Sequence, residues 1–317
     1  MRLVLKVDVD TFRGTREGVP RLVDLFGARG IAATFLFALG PDHTGRAIQR
    51  VFRPGFFAKV QRTSVVEHYG VRTLLYGTLL PGPDIGRRCA AILRAARDAG
   101  HECGIHTWDH VLWQDHVRHR DAAWTARQLE LARARFMEIF DSAPLTHGAA
   151  GWQMNDHALL QLDAWGMAYA SDTRVGGTNG GPHGGPVGGP FIPRVAGRAL
   201  ACVQLPTTLP TLDELIGVDG MDAEAAARHV LALTTPHPRQ NGTPRDHVFT
   251  LHTELEGAKL LPAFTTLLNG WRDQGYRFDT LGGLYASLDR AALPVCPVVW
   301  GELPGRSGQL VVQGAAS

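Results

Sequence analysis

Short apolar runs and longer amphipathic runs alternate along most of the chain. Residues 3–7 and residues 32–39 are mostly apolar, which is typical of buried strands. Between them, residues 19–29 predict a helix, with Pro20 in its first turn and Gly30 at its end. This order of strand, helix and strand predicts an α/β fold with a parallel sheet and right-handed crossovers.

The same alternation continues downstream, with interruptions at residues 41–82 and in the Gly/Pro-rich loop 176–190. We expect residues 1–295 to form a single domain that carries both interruptions, and residues 296–317 to form a flexible tail. Further helices are predicted at 85–99, 122–140, 156–165, 223–233, 260–274 and 281–288, and further strands at 103–105, 145–150, 168–171, 199–205 and 248–251.

The first interruption, at about 41–82, is rich in basic and aromatic side chains. One interpretation is a pair of ordinary amphipathic helices with one face in the core. The other is a basic, aromatic face that lies on an anionic membrane surface. The residues concerned are Arg46, Arg50, Arg53, Lys59 and Arg62, beside Phe52, Phe56 and Phe57.

Composition narrows the class of protein. The chain has 317 residues, of which 44% are hydrophobic, and a formal net charge of +2, which gives no case for a nucleic-acid partner. Its four cysteines have no CxxC spacing and fit reduced thiols. The first residues do not resemble a signal peptide, and no run approaches the roughly 18 apolar residues of a spanning helix. We therefore expect a cytoplasmic protein.

Polar clusters follow several of the predicted strands. Asp8 and Asp10 lie two residues apart, so both carboxylates can face one pocket. His106 and His110 are four residues apart, which on a helical turn brings their Cβ atoms to about 5–6 Å. Asp172 and His252 also come directly after predicted strands. Because the carboxyl ends of parallel strands meet at one rim, we expect these residues to form one site.

These residue types permit metal-dependent hydrolysis. One carboxylate and two imidazoles make a metal site with open positions for water and substrate. Asp10, His106 and His110 fill the ligand roles, Asp8 that of general base, and His252 that of general acid. Spacing alone leaves the order of Asp8 and Asp10 open. It also leaves the metal open among zinc, which we favour, cobalt, nickel and manganese.

These motifs resemble those of the polysaccharide deacetylase (NodB-homology, carbohydrate esterase four-like) superfamily. His106-Thr107-Trp108-Asp109-His110 matches the superfamily's H-[ST]-x-x-H motif. Asp8-Val9-Asp10-Thr11-Phe12 is an altered form of its Thr-Phe-Asp-Asp-Gly motif, and Thr250-Leu251-His252 resembles its late Leu-x-His motif with the usual spacing shortened. The resemblance implies a distorted (β/α) barrel and a metal-dependent amide hydrolase.

The chain is most similar to the branch that deformylates undecaprenyl-phosphate-linked 4-deoxy-4-formamido-L-arabinose. The similarity covers about residues 3 to 290 and implies formation of the aminoarabinose lipid used in lipid A modification and polymyxin resistance. The motifs that carry it, besides His106 to His110, lie at residues 8–20, 40–42, 149–152, 171–172, 209–214 and 252–257.

This resemblance implies a lipid-linked formamido-sugar phosphate as the substrate, met at the cytoplasmic face of the inner membrane by a peripheral protein. Arg13 and Arg16 would hold the phosphate, and Trp108 and Trp152 would stack on the sugar, although a core position is an equal alternative for Trp152. Further substrate-binding candidates are Asp109, Asp172 and Glu254.

Two other functions remain as alternatives. One is a deacetylase of another N-acylated saccharide or small amide, and the other is an inactive sugar-binding module. The chain also departs from the superfamily pattern at Gln153, where an arginine that steadies the catalytic aspartate is expected. Arg13, Arg16 and Arg174 are the candidates to replace it.

Overall fold

The computed structural model describes residues 1–47, 70–176, 188–235 and 245–316. Most of the basic and aromatic interruption, and most of the Gly/Pro-rich loop, therefore lie outside the described residues. The helices are α1 (Val19–Gly27), α2 (Ile85–Asp98), α3 (His110–His116), α4 (Ala122–Phe140), α5 (Asp156–Ala164), α6 (Leu212–Leu215), α7 (Ala223–Thr234), α8 (Leu261–Asp273) and α9 (Leu281–Ala286). Among the described residues, no helix combines the length and the apolar character needed to cross a membrane.

The strands form three groups. The individual strands are β1 (Arg2–Val9), β2 (Thr34–Ala38), β3 (Glu102–Thr107), β4 (Tyr169–Ala170), β5 (Ile192–Val195), β6 (Arg198–Ala199), β7 (Val203–Gln204), β8 (His247–His252), β9 (Arg277–Asp279), β10 (Val295–Gly301) and β11 (Leu310–Gln313). The main sheet is parallel and runs β3-β2-β1-β8, with β9 also paired to β1. Strands β11-β10-β5-β6 form a second sheet, and β4 pairs with β7.

Burial explains why β1 and β2 stand at the centre of the main sheet. Strand β1 is buried from Leu3 to Val9, and every residue of β2 is buried. Strands that are covered on both faces have nearly continuous apolar sequences, and this pattern predicted β1 and β2 from the sequence. Helices α1, α2, α4, α7 and α8 contribute buried residues to the core on this sheet.

Three sequence predictions about the later part of the chain differ from the structure. Residues 145–150 do not form a strand; His147 makes only an isolated bridge to Ile105 of β3. Part of the predicted flexible tail is also ordered, because Leu310, Val311 and Val312 are buried and β11 pairs with β10. The segment predicted as one strand at 199–205 is divided between β6 and β7.

Candidate active site and metal centre

The carboxyl end of β1 carries two aspartates that have different surroundings. Asp8 is 2% exposed, and its Oδ2 accepts a 2.9 Å hydrogen bond from Lys6 Nζ. Among the described residues, Asp8 Oδ1 and Asp10 Oδ1 are buried oxygens without a hydrogen-bond partner. Because a buried acceptor rarely lacks a partner, these two oxygens point to a ligand or a reacting group.

Asp10 forms a compact cluster with two histidines. Asp10 Oδ1 lies 3.2 Å from His106 Nε2, and Asp10 Oδ2 lies 3.4 Å from His110 Nε2. One donor atom from each residue falls within a set that spans 4.8 Å at most. The side chains of Asp10 and His110 are 12% and 19% exposed, so the cluster can be reached from solvent. One oxygen and two nitrogen atoms at these distances could together hold a divalent metal ion.

Local structure aims the histidines at this point. Strand β3 delivers His106, and α3 begins at His110, directly after Asp109 caps the helix by accepting a hydrogen bond from Leu112 N. His106 Nδ1 lies 2.6 Å from Gly148 O. Since a carbonyl can only accept, Nδ1 carries the proton and Nε2 is free to bind a metal.

Electrostatics favour an ionised carboxylate at Asp10. Burial raises the pKa of Asp10, but the nearby imidazoles of His110 and His106 outweigh burial and hold this pKa well below its ordinary value. Burial likewise lowers the pKa of His106, and the carboxylates of Asp8 and Asp10 reverse that effect and raise it. The carboxylate of Asp10 and the imidazoles around it thus stabilise one another electrostatically.

His252 lies beside Asp8 across the sheet. The two residues are register partners on the parallel strands β1 and β8. The backbone N–H of His252 donates to Glu256 Oε2 at 2.8 Å, and its Nδ1 is buried without a partner among the described residues. A titratable ring nitrogen is therefore available beside the aspartates.

Glu254 and Asp109 shape the site through bonds to other protein groups. Glu254 Oε1 accepts from Thr11 N at 2.8 Å and from Thr11 Oγ1 at 2.7 Å, which fixes the chain after β1. Burial, followed by the charge of Asp10, raises the pKa of Glu254 to about 8. Asp109 Oδ2 lies 2.5 Å from His43 Nδ1. Both carboxyls were predicted to bind substrate, and both have structural partners.

Trp152 and Asp172 lie too deep for direct contact with substrate in this structure. Trp152 is 1% exposed, which favours the core alternative for this residue. Asp172 is fully buried and accepts hydrogen bonds from His147 Nδ1 at 2.6 Å and Gln204 Nε2 at 2.9 Å. Trp108, by contrast, is partly buried, and the Arg135 guanidinium lies 5.3 Å from its ring centroid.

None of the three arginines expected to steady Asp8 is its hydrogen-bond partner. Arg13 Nε pairs with Glu17 Oε2 at 3.1 Å, Arg16 lies over the Phe12 ring, and Arg174 is paired with Glu214. The side chain that bonds Asp8 is that of Lys6. In the sequence, Lys6 is one residue of an apolar strand and carries no motif, although its spacing from Asp8 places both on one face.

A second missed residue comes from the predicted tail. Arg306 lies between β10 and β11, and its Nε donates a 2.7 Å hydrogen bond to Glu214 Oε1. Its guanidinium carbon lies 4.4 Å from the centroid of the Trp152 ring. No motif signalled this residue, because the segment around it is short, Gly-rich and polar.

Comparison with known proteins supports the resemblance drawn from the motifs. No family model matches the chain. The probable 4-deoxy-4-formamido-L-arabinose-phosphoundecaprenol deformylase ArnD of Shewanella sediminis is 34% identical over 314 residues, which cover 98% of this chain and 94% of that protein. The protein of the same name from Wigglesworthia glossinidia brevipalpis is 28% identical over 301 residues, covering 95% and 98%.

Solved structures agree on the fold. A protein assigned as a polysaccharide deacetylase from Mycobacterium smegmatis superposes with a TM-score of 0.60 at 16% identity, over 95% of this chain and 94% of that chain. A CE4-family pseudoenzyme from Bacillus anthracis gives a TM-score of 0.50 at 10% identity, over 90% and 65%. With the parallel sheet, these confirm the predicted α/β class, a distorted barrel of the polysaccharide deacetylase type.

Proposed function

We propose, because this chain belongs to the family of 4-deoxy-4-formamido-L-arabinose-phosphoundecaprenol deformylases, that it hydrolyses the formamide of undecaprenyl-phosphate-linked 4-deoxy-4-formamido-L-arabinose. The products are formate and the aminoarabinose lipid that modifies lipid A and gives resistance to polymyxin. The observation that carries this proposal is the convergence of Asp10, His106 and His110, whose donor atoms lie within 4.8 Å of one another.

Asp10, His106 and His110 would hold one divalent metal, with zinc as the preferred ion. The donor set fits, since one carboxylate and two neutral imidazoles are ordinary zinc ligands and three protein ligands leave coordination positions open. The unpartnered buried Asp10 Oδ1 and the bond from His106 Nδ1 to a carbonyl support this assignment. A bound divalent metal supplies a Lewis acid that polarises the amide carbonyl and makes water more acidic.

Asp8 would act as the general base. Lys6 holds its Oδ2, whereas its Oδ1 has no hydrogen-bond partner among the described residues and can accept a proton from the attacking water. This separation supports a division of labour between the two aspartates, in which Asp10 binds the metal and Asp8 moves the proton.

His252 would act as the general acid. Its position next to Asp8 in the sheet and its unpartnered Nδ1 support transfer of a proton to the leaving amine nitrogen. Glu256 accepts from the His252 backbone N–H and so fixes the end of β8 without using the imidazole. With a base and an acid on neighbouring strands, the amide can be cleaved between them.

The lipid-linked substrate would be met at the membrane surface. Arg16 is exposed and Arg13 is 39% exposed, so both guanidinium groups can reach a phosphate, and Trp108 offers an aromatic face to the sugar. Val71 and Leu79, in the described part of the basic and aromatic interruption, are 64% and 81% exposed. Exposed apolar side chains near basic ones support peripheral contact with an anionic bilayer.

A comparison of two matched substrates tests this function. Pure protein with zinc should release formate from the formamido-arabinose lipid and should release far less acetate from the matching acetamido lipid. Faster release of acetate than of formate would instead favour a general deacetylase. The absence of any release at full metal occupancy would contradict an enzymatic role for this site.

A further inference from the structure

We infer that Arg306, in the segment 302–309 between β10 and β11, is a positioning residue for Trp152, Lys6 and Asp8. The inference rests on the proposed function, because it concerns how the proposed base is held. Two features of the structure support it: the hydrogen bonds that hold this segment, and the charged groups around the Trp152 ring.

The carboxyl end of this segment is held by hydrogen bonds to Gln153 and, through β11, to Arg174. Gln153, directly after Trp152, donates from Nε2 to Gln309 O at 2.7 Å, and Trp113 Nε1 donates to Gln153 O at 2.7 Å. Strand β11 then exchanges backbone bonds with Arg174, from Arg174 N to Val311 O and from Gln313 N to Arg174 O. These hydrogen bonds thus connect the segment to Arg174 and to Gln153, the residue directly after Trp152.

Three cations surround the Trp152 ring. The distances from its centroid are 4.4 Å to Arg306 Cζ, 4.7 Å to Arg174 Cζ and 5.0 Å to Lys6 Nζ. Cations within about 6 Å of an aromatic face are attracted to it. The ring is therefore a shared contact between the C-terminal segment and the lysine that holds Asp8.

One buried carboxylate joins the two arginines. Glu214 accepts two hydrogen bonds from Arg174, at 2.6 Å and 3.1 Å, and one from Arg306 Nε at 2.7 Å. Bonds between guanidinium and carboxylate groups are strong and directional. They fix the positions of both guanidinium planes relative to Trp152.

Two features around this contact are costly for stability. One is the backbone conformation of Trp152, and the other is the Nη2 atom of Arg306. Trp152 has a φ of 52°, a left-handed conformation that is uncommon for a bulky residue. Arg306 Nη2 is buried and lies 4.0 Å from Asp213 Oδ1, without a hydrogen-bond partner among the described residues. Strained backbone and unsatisfied polar groups are concentrated at functional sites.

The charge of Arg306 also reaches Asp8. Burial lowers the pKa of Arg306, but Asp213, Glu214 and Asp8 outweigh burial and raise it. Arg306 therefore stays charged and acts on Asp8 both through space and through Trp152 and Lys6. Loss of Arg306 should allow Trp152 and Lys6 to shift, so that Asp8 is no longer aimed at the attacking water.

The test is the variant Arg306→Gln, measured in the full chain loaded with zinc. We expect kcat to fall by about tenfold or more, because small displacements of a reacting group are costly, while KM stays within about twofold and metal content stays that of the wild type. Arg306→Lys, which keeps the charge, should recover part of the loss. Gln153→Ala should lower kcat in the same direction by releasing Gln309.

Arg118→Gln is the matched control. Arg118 Cζ lies 4.2 Å from the Trp300 ring centroid, so this variant removes the same kind of contact at an exposed arginine outside the site. Its kcat should not change. A folded Arg306→Gln variant with wild-type kcat would overturn the inference, as would a rise in KM alone or a loss of metal. If Arg306→Gln does not fold, Arg306→Lys and Gln153→Ala decide by the same criteria.

A second readout does not depend on activity. In a ¹⁵N–¹H spectrum, the indole resonance of Trp152, assigned with Trp152→Phe, should move in Arg306→Gln and Gln153→Ala and stay in place in Arg118→Gln. An unmoved resonance would overturn the inference even if the wild type hydrolyses no amide. A wild type inactive on the formamido lipid would contradict only the proposed function, and kcat would then be compared on an amide that it does hydrolyse.

Discussion

Lys6 Nζ donates a 2.9 Å hydrogen bond to Asp8 Oδ2, between two buried side chains of the same strand. Residues two apart on a strand share a face, so the contact follows from β1 geometry. It occupies one carboxylate oxygen and leaves the other for chemistry. In the proposed role of Asp8 as general base, a carboxylate held at one oxygen can take up a proton at the other in a fixed direction.

Removal of Lys6 should therefore affect both stability and turnover. Lys6→Met leaves the buried Asp8 carboxylate without its cation, and breaking a buried ion pair in this way costs about 3–5 kcal/mol. We expect a lower free energy of unfolding and strongly reduced formate release. The double variant Lys6→Met/Asp8→Asn should regain stability without regaining activity. A single variant as stable and as active as the wild type would contradict this account of Asp8.

The two histidines should be essential for metal binding. His106→Ala and His110→Ala each remove one of the three ligands, so we expect loss of bound divalent metal and of nearly all turnover. Metal content by mass spectrometry and formate release check both effects. His116→Ala, at an exposed position of α3, is the control and should behave as the wild type. Full occupancy in both ligand variants would refute the site.

The two aspartates should separate by metal content. Asp8→Asn should retain metal and lose activity by roughly a hundredfold or more, the usual contribution of a general base. Asp10→Asn should lose metal as well. The reverse result, with metal lost in Asp8→Asn and kept in Asp10→Asn, would show that the two roles are exchanged.

Glu256 should make stability fall as pH rises. Burial raises its pKa from 4.5 to about 8. Between these values the folded state holds a proton that the unfolded state has released, so the free energy of unfolding decreases with rising pH, by at most about 1.4 kcal/mol per pH unit. Glu256→Gln keeps the neutral form throughout this window. Urea unfolding of metal-free protein should show a smaller slope for the variant; equal slopes would contradict the raised pKa.

Membrane contact should depend on residues 56 and 57. The double variant Phe56→Ser/Phe57→Ser should lose co-sedimentation with anionic liposomes and keep its melting temperature, since the membrane alternative places these side chains on the bilayer. High salt should weaken wild-type binding without abolishing it, because basic residues contribute about 1 kcal/mol each near an anionic surface. A strongly lowered melting temperature of the double variant, or wild-type protein that does not bind anionic liposomes, would favour the core alternative.

The parts of the fold that the sequence predicted well are those with strong periodicity. The apolar runs of β1 and β2 and the amphipathic pattern of α4 led to elements at the right places, because burial on both faces or on one face leaves a regular trace. The segment 145–150 was predicted as a strand because it is largely apolar, but in the structure it lies beside β3 and makes only one isolated bridge to it. Local pattern cannot distinguish a buried loop from a short strand.

For the site, the sequence predicted the residues that a motif places at strand ends. Asp10, His106 and His110 converge because β1 and β3 end at the same edge of the sheet. Lys6 and Arg306 could not be found in this way, since their importance depends on contacts with Asp8 and Glu214 that arise only on folding. Asp172 lies past a predicted strand but is buried against His147 and Gln204, so its position in the sequence resembled that of a site residue.

The most direct test of the central claim is the dependence of deformylation on bound metal. Protein stripped by a chelator should release no formate from the formamido-arabinose lipid, and stepwise addition of zinc should restore release in proportion to occupancy, up to one ion per chain. His110→Ala should stay inactive throughout the titration. Full formate release from metal-free protein, or none at one zinc per chain, would contradict the account.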